Sequence, residues 1–148
     1  MSSEQLIAMA LLLPPLAAVG IALCRSYPNL REAVAFAAAA LLTLAVATLL
    51  APVRAGERPG LAVLEVMPGL PIAFEVEPLG LLFALVASSL WFVSTLYSIG
   101  YMRGNDEAHQ TRFYLCFALA IAAAIGIAFS ANAFTLFLFY EALTLVTY

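Results

Sequence analysis

Residues 134–148 read FTLFLFYEALTLVTY and carry a single charge, Glu141, in an otherwise apolar run. A helix rises about 1.5 Å per residue, so Glu141 would lie roughly 13 Å along a helix that starts near Asn132. That depth is close to the middle of a hydrocarbon layer about 30 Å thick. Because an isolated carboxylate is energetically costly at that depth, Glu141 is the first functional candidate of the chain.

The composition predicts an integral membrane protein. Hydrophobic residues make up 65% of the 148 residues, charged residues make up 10%, and the mean hydropathy is +1.04. A soluble domain would carry about 25% charged residues. All six positive charges are arginines, and the sequence contains no basic run that would neutralise phosphates, so we expect no nucleic-acid partner.

Apolar runs divide the chain into five predicted transmembrane helices, which indicates an all-α membrane fold in a single domain. The predicted helices cover residues 6–23, 33–53, 78–100, 113–130 and 132–148. Pro14 and Pro15 in the first run predict a kink or a helix start, because proline removes a backbone donor. The fifth run would rise only about 24 Å and has no polar end, so we expect a truncated N-terminal fragment.

The polar connection 54–77 predicts a short β-hairpin on the membrane surface. Its second half places larger apolar residues at positions 72, 74 and 76, which is the period of a β-strand. Residues 61–66 would supply the partner strand, with Pro68 and Gly69 in the turn. The glutamates of this loop form either a solvated face or an ion-attracting mouth.

The third and fourth runs carry side chains that suit helix packing. Hydroxyls bond carbonyls of their own helix or of a neighbour, although they can also line a hydrated path, and both interpretations stay open. The five hydroxyls of the third run are Ser88, Ser89, Ser94, Thr95 and Ser98. In the fourth run, Ala118, Ala122 and Gly126 recur at every fourth position and predict tight contact with another helix.

The sequence offers no ligand set for a metal, a haem or a flavin. Cys24 and Cys116 lie in different runs, and we interpret them as packing residues, with a disulfide, metal or redox role as the lesser alternative. His109, the single histidine, lies in the polar loop 103–112, where proton feeding is the alternative to an ordinary connection. We therefore expect no cofactor and no metal.

The distribution of arginines predicts which side of the membrane each loop faces. The loops after the first and third runs hold four arginines, whereas the loop 54–77 holds two among its glutamates. The positive-inside rule then places the first two of these loops in the cytoplasm and places the N-terminus and the hairpin outside. We expect a multi-pass protein of the cell inner membrane.

Glu141 shares one face of its predicted helix with Thr144 and Tyr148, and Tyr140 is adjacent. Apolar surroundings favour a neutral carboxyl and a nearby cation favours the carboxylate, so this group can exchange a proton as its neighbours move. The alternative is a protonated glutamate that only packs and hydrogen-bonds. Because the predicted runs contain no cation, we expect any ionic partner to come from another segment or subunit.

A family resemblance accompanies these features. Residues 97–148, YSIGYMRGNDEAHQTRFYLCFALAIAAAIGIAFSANAFTLFLFYEALTLVTY, resemble the antiporter-like subunits of respiratory complex I, Mrp-type multisubunit Na⁺/H⁺ antiporters and membrane-bound hydrogenases. The end of this run, an aromatic residue followed by EALTLVTY, looks closest to the D-type subunits of the Mrp-type antiporters and to the related hydrogenase subunits. The resemblance covers residues 78–148 well and the first 77 residues loosely.

The resemblance implies a subunit of about fourteen helices in a multisubunit membrane complex, of which this chain supplies the first five. It implies that Glu141 takes part in proton translocation and pairs with a lysine on a later helix, beyond Tyr148. Some D-type sequences carry an acid where this chain has Asn132. The implied partners are other membrane subunits, protons and, for an antiporter, Na⁺, all within the lipid bilayer.

Two functions from different classes remain. The first is an ion-translocating subunit of a complex I-like or Mrp-type assembly, in which Glu141 relays protons. Such a subunit is not catalytic by itself, although it would be the proton-pumping membrane part of an NADH:quinone oxidoreductase or hydrogenase-type complex. The second is a truncated structural or assembly subunit without transport of its own, which the end of the sequence inside a spanning segment suggests.

Overall fold

The computed structural model describes residues 2–148 and shows an all-α membrane fold with one β-hairpin. Its elements in chain order are α1 (Ser3–Leu23), α2 (Pro28–Thr48), α3 (Leu50–Arg54), β1 (Gly60–Met67), β2 (Leu70–Glu75), α4 (Pro78–Gly104), α5 (Gln110–Ala128) and α6 (Ala133–Thr147). With α2 and α3 taken together, four helices are long and apolar enough to cross a membrane, and α6 is a shorter apolar helix. The predicted fold class is confirmed.

The first helix starts well before its two prolines. Ser2 caps α1, because its Oγ accepts a hydrogen bond from Gln5 N at 3.3 Å while Gln5 Oε1 accepts one from Ser2 N at 3.0 Å. This reciprocal capping satisfies two backbone donors that a helix end otherwise leaves free. The helix then continues through Pro14 and Pro15, so the prolines do not start it.

The second span starts earlier than its apolar run and is interrupted near its end. α2 begins at Pro28, a residue whose fixed φ and missing N–H suit the first helical position. Arg31 and Glu32 therefore lie inside the helix, whereas hydropathy predicted a helix that begins after them. Pro52 has no N–H to donate to the Thr48 carbonyl, which accounts for the break between α2 and α3.

The helices α1, α2, α4 and α5 pack in a ring, and α6 packs on the outside of α5. α1 contacts α2 and α5, α2 also contacts α4, and α5 contacts α4 and α6. The largest fully buried side chains include Leu42 of α2, Trp91 of α4 and Tyr114 of α5. The hairpin contacts α1 and α6, so α6 is held mainly by α5 on one side and by β2 at its start.

The hairpin follows the strand pattern of the sequence. β1 and β2 pair antiparallel, and the turn between them contains Gly69 at a φ of 82°, a conformation that glycine adopts without strain. The Glu65 carboxylate accepts a hydrogen bond from Gly69 N at 2.8 Å. Phe74 and Val76 are 5% and 0% exposed, whereas Ile72 is only partly buried. The predicted hairpin is confirmed.

The small-residue stripe of α5 makes close contact with α6. Ala118 and Gly126 are buried, and a Cβ added at Gly126 would overlap the ring of Phe139 on α6. That ring also packs edge-to-face on Phe74, with the two ring centroids 5.6 Å apart. The missing side chain at position 126 therefore sets how closely α5 and α6 approach each other.

We expect Gly126→Ala to lower the free energy of unfolding by about 1–3 kcal/mol, because the added methyl overpacks the contact with Phe139. Gly100 of α4 is the matched control, since a Cβ there meets no atom within 4 Å. Gly100→Ala should raise stability by about 1 kcal/mol, because alanine is the better helix former. Denaturation in detergent followed by far-UV circular dichroism measures both changes, and shifts of the same sign would contradict the close contact.

Candidate functional site

The start of α6 is fixed by two polar side chains. Asn132 caps the helix, because its Oδ1 accepts a hydrogen bond from Thr135 N at 2.8 Å. The same side chain donates through Nδ2 to the Pro71 carbonyl of β2 at 2.8 Å. Thr135 is fully buried, and its hydroxyl accepts a hydrogen bond from Ala73 N at 3.1 Å. Asn132, where some D-type sequences carry an acid, thus joins the helix to the hairpin.

Backbone hydrogen bonds extend this attachment. Glu75 N donates to the Phe129 carbonyl at 2.8 Å, and Ala131 N donates to the Ala73 carbonyl at 3.0 Å. Ser130 forms an isolated antiparallel bridge with β2. The residues between α5 and α6 therefore lie along the edge of β2 that β1 does not use. The hairpin sets the position at which α6 begins.

Glu141 lies on the outer side of α6. Successive residues of a helix turn by about 100°, so Glu141 points roughly 200° away from Phe139, the residue that packs on α5 and the hairpin. Glu141 is exposed, and its carboxylate forms no ion pair within residues 2–148. The acid is thus presented away from the rest of the described helices.

The polar residues predicted beside Glu141 share its exposed setting. Tyr140, Thr144 and Tyr148 are all exposed. The Thr144 hydroxyl donates to the Tyr140 carbonyl at 3.0 Å, which leaves its lone pairs as acceptors for a protonated carboxyl. The two phenols can each donate to the ionised form. This side of α6 can therefore hydrogen-bond either protonation state of the acid.

The surface around Glu141 is apolar. Phe137, Leu138 and Leu145 are 56%, 38% and 79% exposed. An acid in such a setting is separated from water only when another apolar surface covers the face. The helical neighbours that we expected around Glu141 therefore do not come from residues 2–148.

A group of charges with two buried members, which the sequence interpretation missed, joins α2 to α4. Glu32 is 3% exposed, and its Oε2 lies 2.5 Å from Nη2 of Arg103. Nη2 of Arg31 lies 3.5 Å from the other carboxylate oxygen of Glu32. We call Arg31, Glu32 and Arg103 the charge cluster. α2 and α4 extend beyond the predicted apolar runs, so Arg31 and Arg103 lie on these two helices although the runs themselves contain no cation.

Arg31 also connects the charge cluster to α5. Its Nη1 donates to Thr111 Oγ1 at 2.9 Å, and its Nη2 donates to Gln110 Oε1 at 2.8 Å. The guanidinium lies 5.4 Å from the centroid of the Tyr114 ring, which is within cation–π range. Arg31 Nε is buried and has no hydrogen-bond partner in the described part of the chain.

The sequence signal that could have found the charge cluster is the proline at position 28. Proline is favoured at the first helical position, so a helix start at Pro28 places Arg31 and Glu32 on helical turns. Hydropathy instead assigns charged residues to loops. The pairing with Arg103 has no local signal, because the two partners are 71 residues apart.

The other residues singled out in the sequence do not form a common site. Ser88 and Thr95 of α4 are fully buried, and the Ser88 hydroxyl donates to a carbonyl of its own helix at 3.2 Å. His109 is exposed at the start of α5, and Cys24 and Cys116 are free, half-buried thiols. Over residues 2–148, no group of three or more His, Cys, Asp or Glu side chains could hold a metal ion.

This chain is similar in sequence to known membrane subunits. The family model described as NADH-ubiquinone oxidoreductase (complex I), chain 5 N-terminus, matches residues 68–114. The Na(+)/H(+) antiporter subunit A1 of Staphylococcus aureus strain bovine RF122 / ET3-1 is 35% identical over 77 residues, which are 51% of this chain. Subunit A1 of strain JH9 matches with the same identity and coverage. These matches support the antiporter-like membrane subunit family.

The fold of this chain is also similar to that of a solved structure. A chain of the membrane-bound sulfane sulfur reductase, an archaeal respiratory membrane complex, superposes with a TM-score of 0.79 at 19% identity. The match covers 94% of this chain and 21% of that chain, and at this identity it shows the fold alone. This chain spans 9% of the length of the A1 subunits.

The residues matched by the family model stop short of Glu141. The family model includes the turn of the hairpin, α4 and the start of α5, but it ends before α6. The role of Glu141 in an antiporter-like subunit therefore stays a prediction. The closer likeness to the D-type subunits also stays a prediction, because the relatives named above are A1 subunits.

Proposed function

We propose that this chain belongs to a proton- or cation-translocating membrane subunit of a complex I-like or Mrp-type Na⁺/H⁺ antiporter assembly. The observation that carries the proposal is the placement of Glu141, an acid without an ionic partner in residues 2–148, on the outer apolar side of a helix that the hairpin positions. The S. aureus relatives are named as subunits of a Na(+)/H(+) antiporter. Cation-coupled proton movement is therefore the first function to test.

Glu141 would act as the proton relay. Once an apolar surface covers the face, desolvation favours the neutral acid, and a cation brought close favours the carboxylate. Movement of that cation toward and away from the acid would release and reload one proton. Thr144 and the neighbouring tyrosines would hydrogen-bond the acid in both states, so neither state would be left without partners.

The cation that pairs with Glu141 would come from another part of the assembly. The chain contains no lysine, and Arg31 and Arg103 are already engaged by Glu32. We therefore propose a lysine on a further helix, as the family resemblance implies. Other membrane subunits of a multisubunit complex would cover the exposed face of α6.

We further propose that the protein lies in the cell inner membrane with its N-terminus outside. Four arginines lie at the end of the bundle where α2 and α5 begin, and two lie at the hairpin end. The first group is Arg25, Arg31, Arg103 and Arg112, and the second is Arg54 and Arg58. The positive-inside bias then orients the hairpin away from the cytoplasm.

Proteoliposomes that contain the complete subunit with its companion subunits test this proposal. A pH-sensitive dye in the lumen reports proton movement when Na⁺, K⁺ or choline is added outside, or when an electron donor is supplied. We expect proton flux with Na⁺ or with the donor, and none with choline. An assembled complex that moves no protons under any of these conditions would exclude a translocating function.

A structural or assembly function without transport is the second candidate. It is favoured by the exposed apolar side of α6, where Phe137 and Leu145 would pack well against another membrane helix. The two candidates differ in what the carboxylate does. An assembly role predicts that a complex without the Glu141 carboxylate forms and works as before, whereas a transport role predicts that it forms but moves no protons.

A further inference from the structure

Three arginines from two distant parts of the sequence line one cavity at the start of α2 and α5. The cavity has a volume of about 710 Å³, and its lining includes Arg25, Arg31 and Arg112 together with His109 and Glu107. With one acid opposing three arginines, the cavity is net positive. We call it the basic cavity. The sequence alone contains no basic run, so this grouping is a product of the fold.

Two of the three arginines that line the basic cavity are available to a ligand, whereas Arg31 is already paired with Glu32. Arg25 and Arg112 are exposed and form no ion pair in the part of the chain that the structure describes. Arg31 lines the same cavity while only 5% exposed, and its Nε is buried without a hydrogen-bond partner among residues 2–148. A buried donor without a partner costs free energy, so an acceptor that reached Arg31 Nε would be stabilised.

Two helix starts add to the positive potential of the basic cavity. α2 begins at Pro28 and α5 begins at Gln110, and both residues line the cavity. Neither start has a side-chain cap. In α2, Leu30 N already donates to the Tyr27 carbonyl at 3.1 Å, so only some of the first-turn N–H groups lack a partner in their own helix. Helix starts carry a partial positive charge and favour anions, phosphate groups in particular.

An apolar groove begins where the basic cavity ends. His109 and Arg112 line both, and the groove, of about 550 Å³, continues between α5 and α6 along Phe113, Phe117 and Val146. A soluble anion would use only the basic cavity. A molecule with an anionic head and an apolar chain would use both, because the basic cavity and the groove lie on either side of His109 and Arg112.

We propose that the basic cavity and the apolar groove together bind an anionic phospholipid. The phosphate would lie among Arg25, Arg31 and Arg112, and one acyl chain would lie in the groove. Basic pockets between membrane helices bind anionic head groups, and each arginine near an anionic lipid strengthens binding by about fivefold. The binding is independent of Glu141, so the failure of the transport proposal would leave it standing.

Lipid binding to the complete subunit with its companion subunits, delipidated in a neutral detergent, tests the proposal. Native mass spectrometry counts the bound lipid during titration with phosphatidylglycerol and, separately, with phosphatidylcholine. We expect tighter binding of phosphatidylglycerol, and we expect Arg112→Gln and Arg25→Gln each to weaken it by about fivefold. Circular dichroism should show an unchanged fold, because neither exposed arginine has an ion pair to lose within residues 2–148.

Arg54→Gln is the matched control, since Arg54 is also exposed and without an ion pair in the described part of the chain, but lies at the hairpin end. It should leave phosphatidylglycerol binding unchanged. Equal binding of the two lipids, or an equal loss in Arg54→Gln and Arg112→Gln, would overturn the site. An excess of inorganic phosphate that displaces the lipid completely would overturn the lipid assignment and identify a soluble phosphate compound as the ligand.

Discussion

Glu141→Gln is expected to reduce proton flux through the assembled complex by about 100-fold or more, the loss typical when a positioned proton-transfer group is removed. Glutamine keeps the volume and the hydrogen-bonding capacity of the side chain, but it cannot bind and release a proton. Because Glu141 is exposed in this chain and has no ion pair within residues 2–148, the substitution removes no described contact. The complex should therefore assemble in normal yield.

Two further variants show whether the carboxylate itself matters. Glu141→Asp keeps a proton-binding group about one methylene shorter and should retain part of the flux. Glu57→Gln removes a carboxylate from the exposed turn before β1, where no ion pair forms in the described structure, and should leave the flux unchanged. Proton flux that survives Glu141→Gln in a fully assembled complex would rule out the relay and favour the assembly role.

Features with a local period could be predicted from the sequence. The alternation at positions 72–76 and the glycine of the turn sufficed for the hairpin, because a strand repeats every two residues and few residues adopt the φ of Gly69. The spacing of small residues at every fourth position, which ends at Gly126, sufficed to predict a close contact with another helix. It did not identify Phe139 as the partner, since packing between helices depends on side chains that are distant in the sequence.

Features that depend on pairing across the chain could not be predicted. Glu32 and Arg103 lie at the edges of apolar runs, where a solvated loop is the more frequent setting for a charge. Asn132 reads as a turn residue, and only the fold shows that it also donates to the hairpin. The sequence did single out Glu141 as the lone acid of its run. The exposure of the Glu141 side chain could not be predicted, because it depends on which surfaces cover α6 and the local spacing of residues carries no information about those surfaces.

Glu32→Gln is expected to lower the free energy of unfolding by about 3 kcal/mol, because it leaves the buried guanidinium of Arg31 without its anion. Glu32 and Arg31 have side-chain exposures of 4% and 6%, so water cannot replace the lost partner. Arg103→Gln should cost less, since the Arg103 side chain is 49% exposed and Arg31 remains 3.5 Å from Glu32. Chemical denaturation of the full chain in detergent measures both losses.

An exposed ion pair at the hairpin end, between Arg58 and Glu77, is the control for this prediction. Arg58 and Glu77 lie 3.0 Å apart with side-chain exposures of 64% and 57%, so Glu77→Gln should cost at most about 1 kcal/mol. The double variant Glu32→Gln/Arg103→Gln should be no less stable than Glu32→Gln alone, because Arg103 has then already lost its anion. A loss in Glu32→Gln no larger than that in Glu77→Gln would mean that water reaches the charge cluster. In that case the α2–α4–α5 junction would be held by packing around Tyr114 and not by its charges.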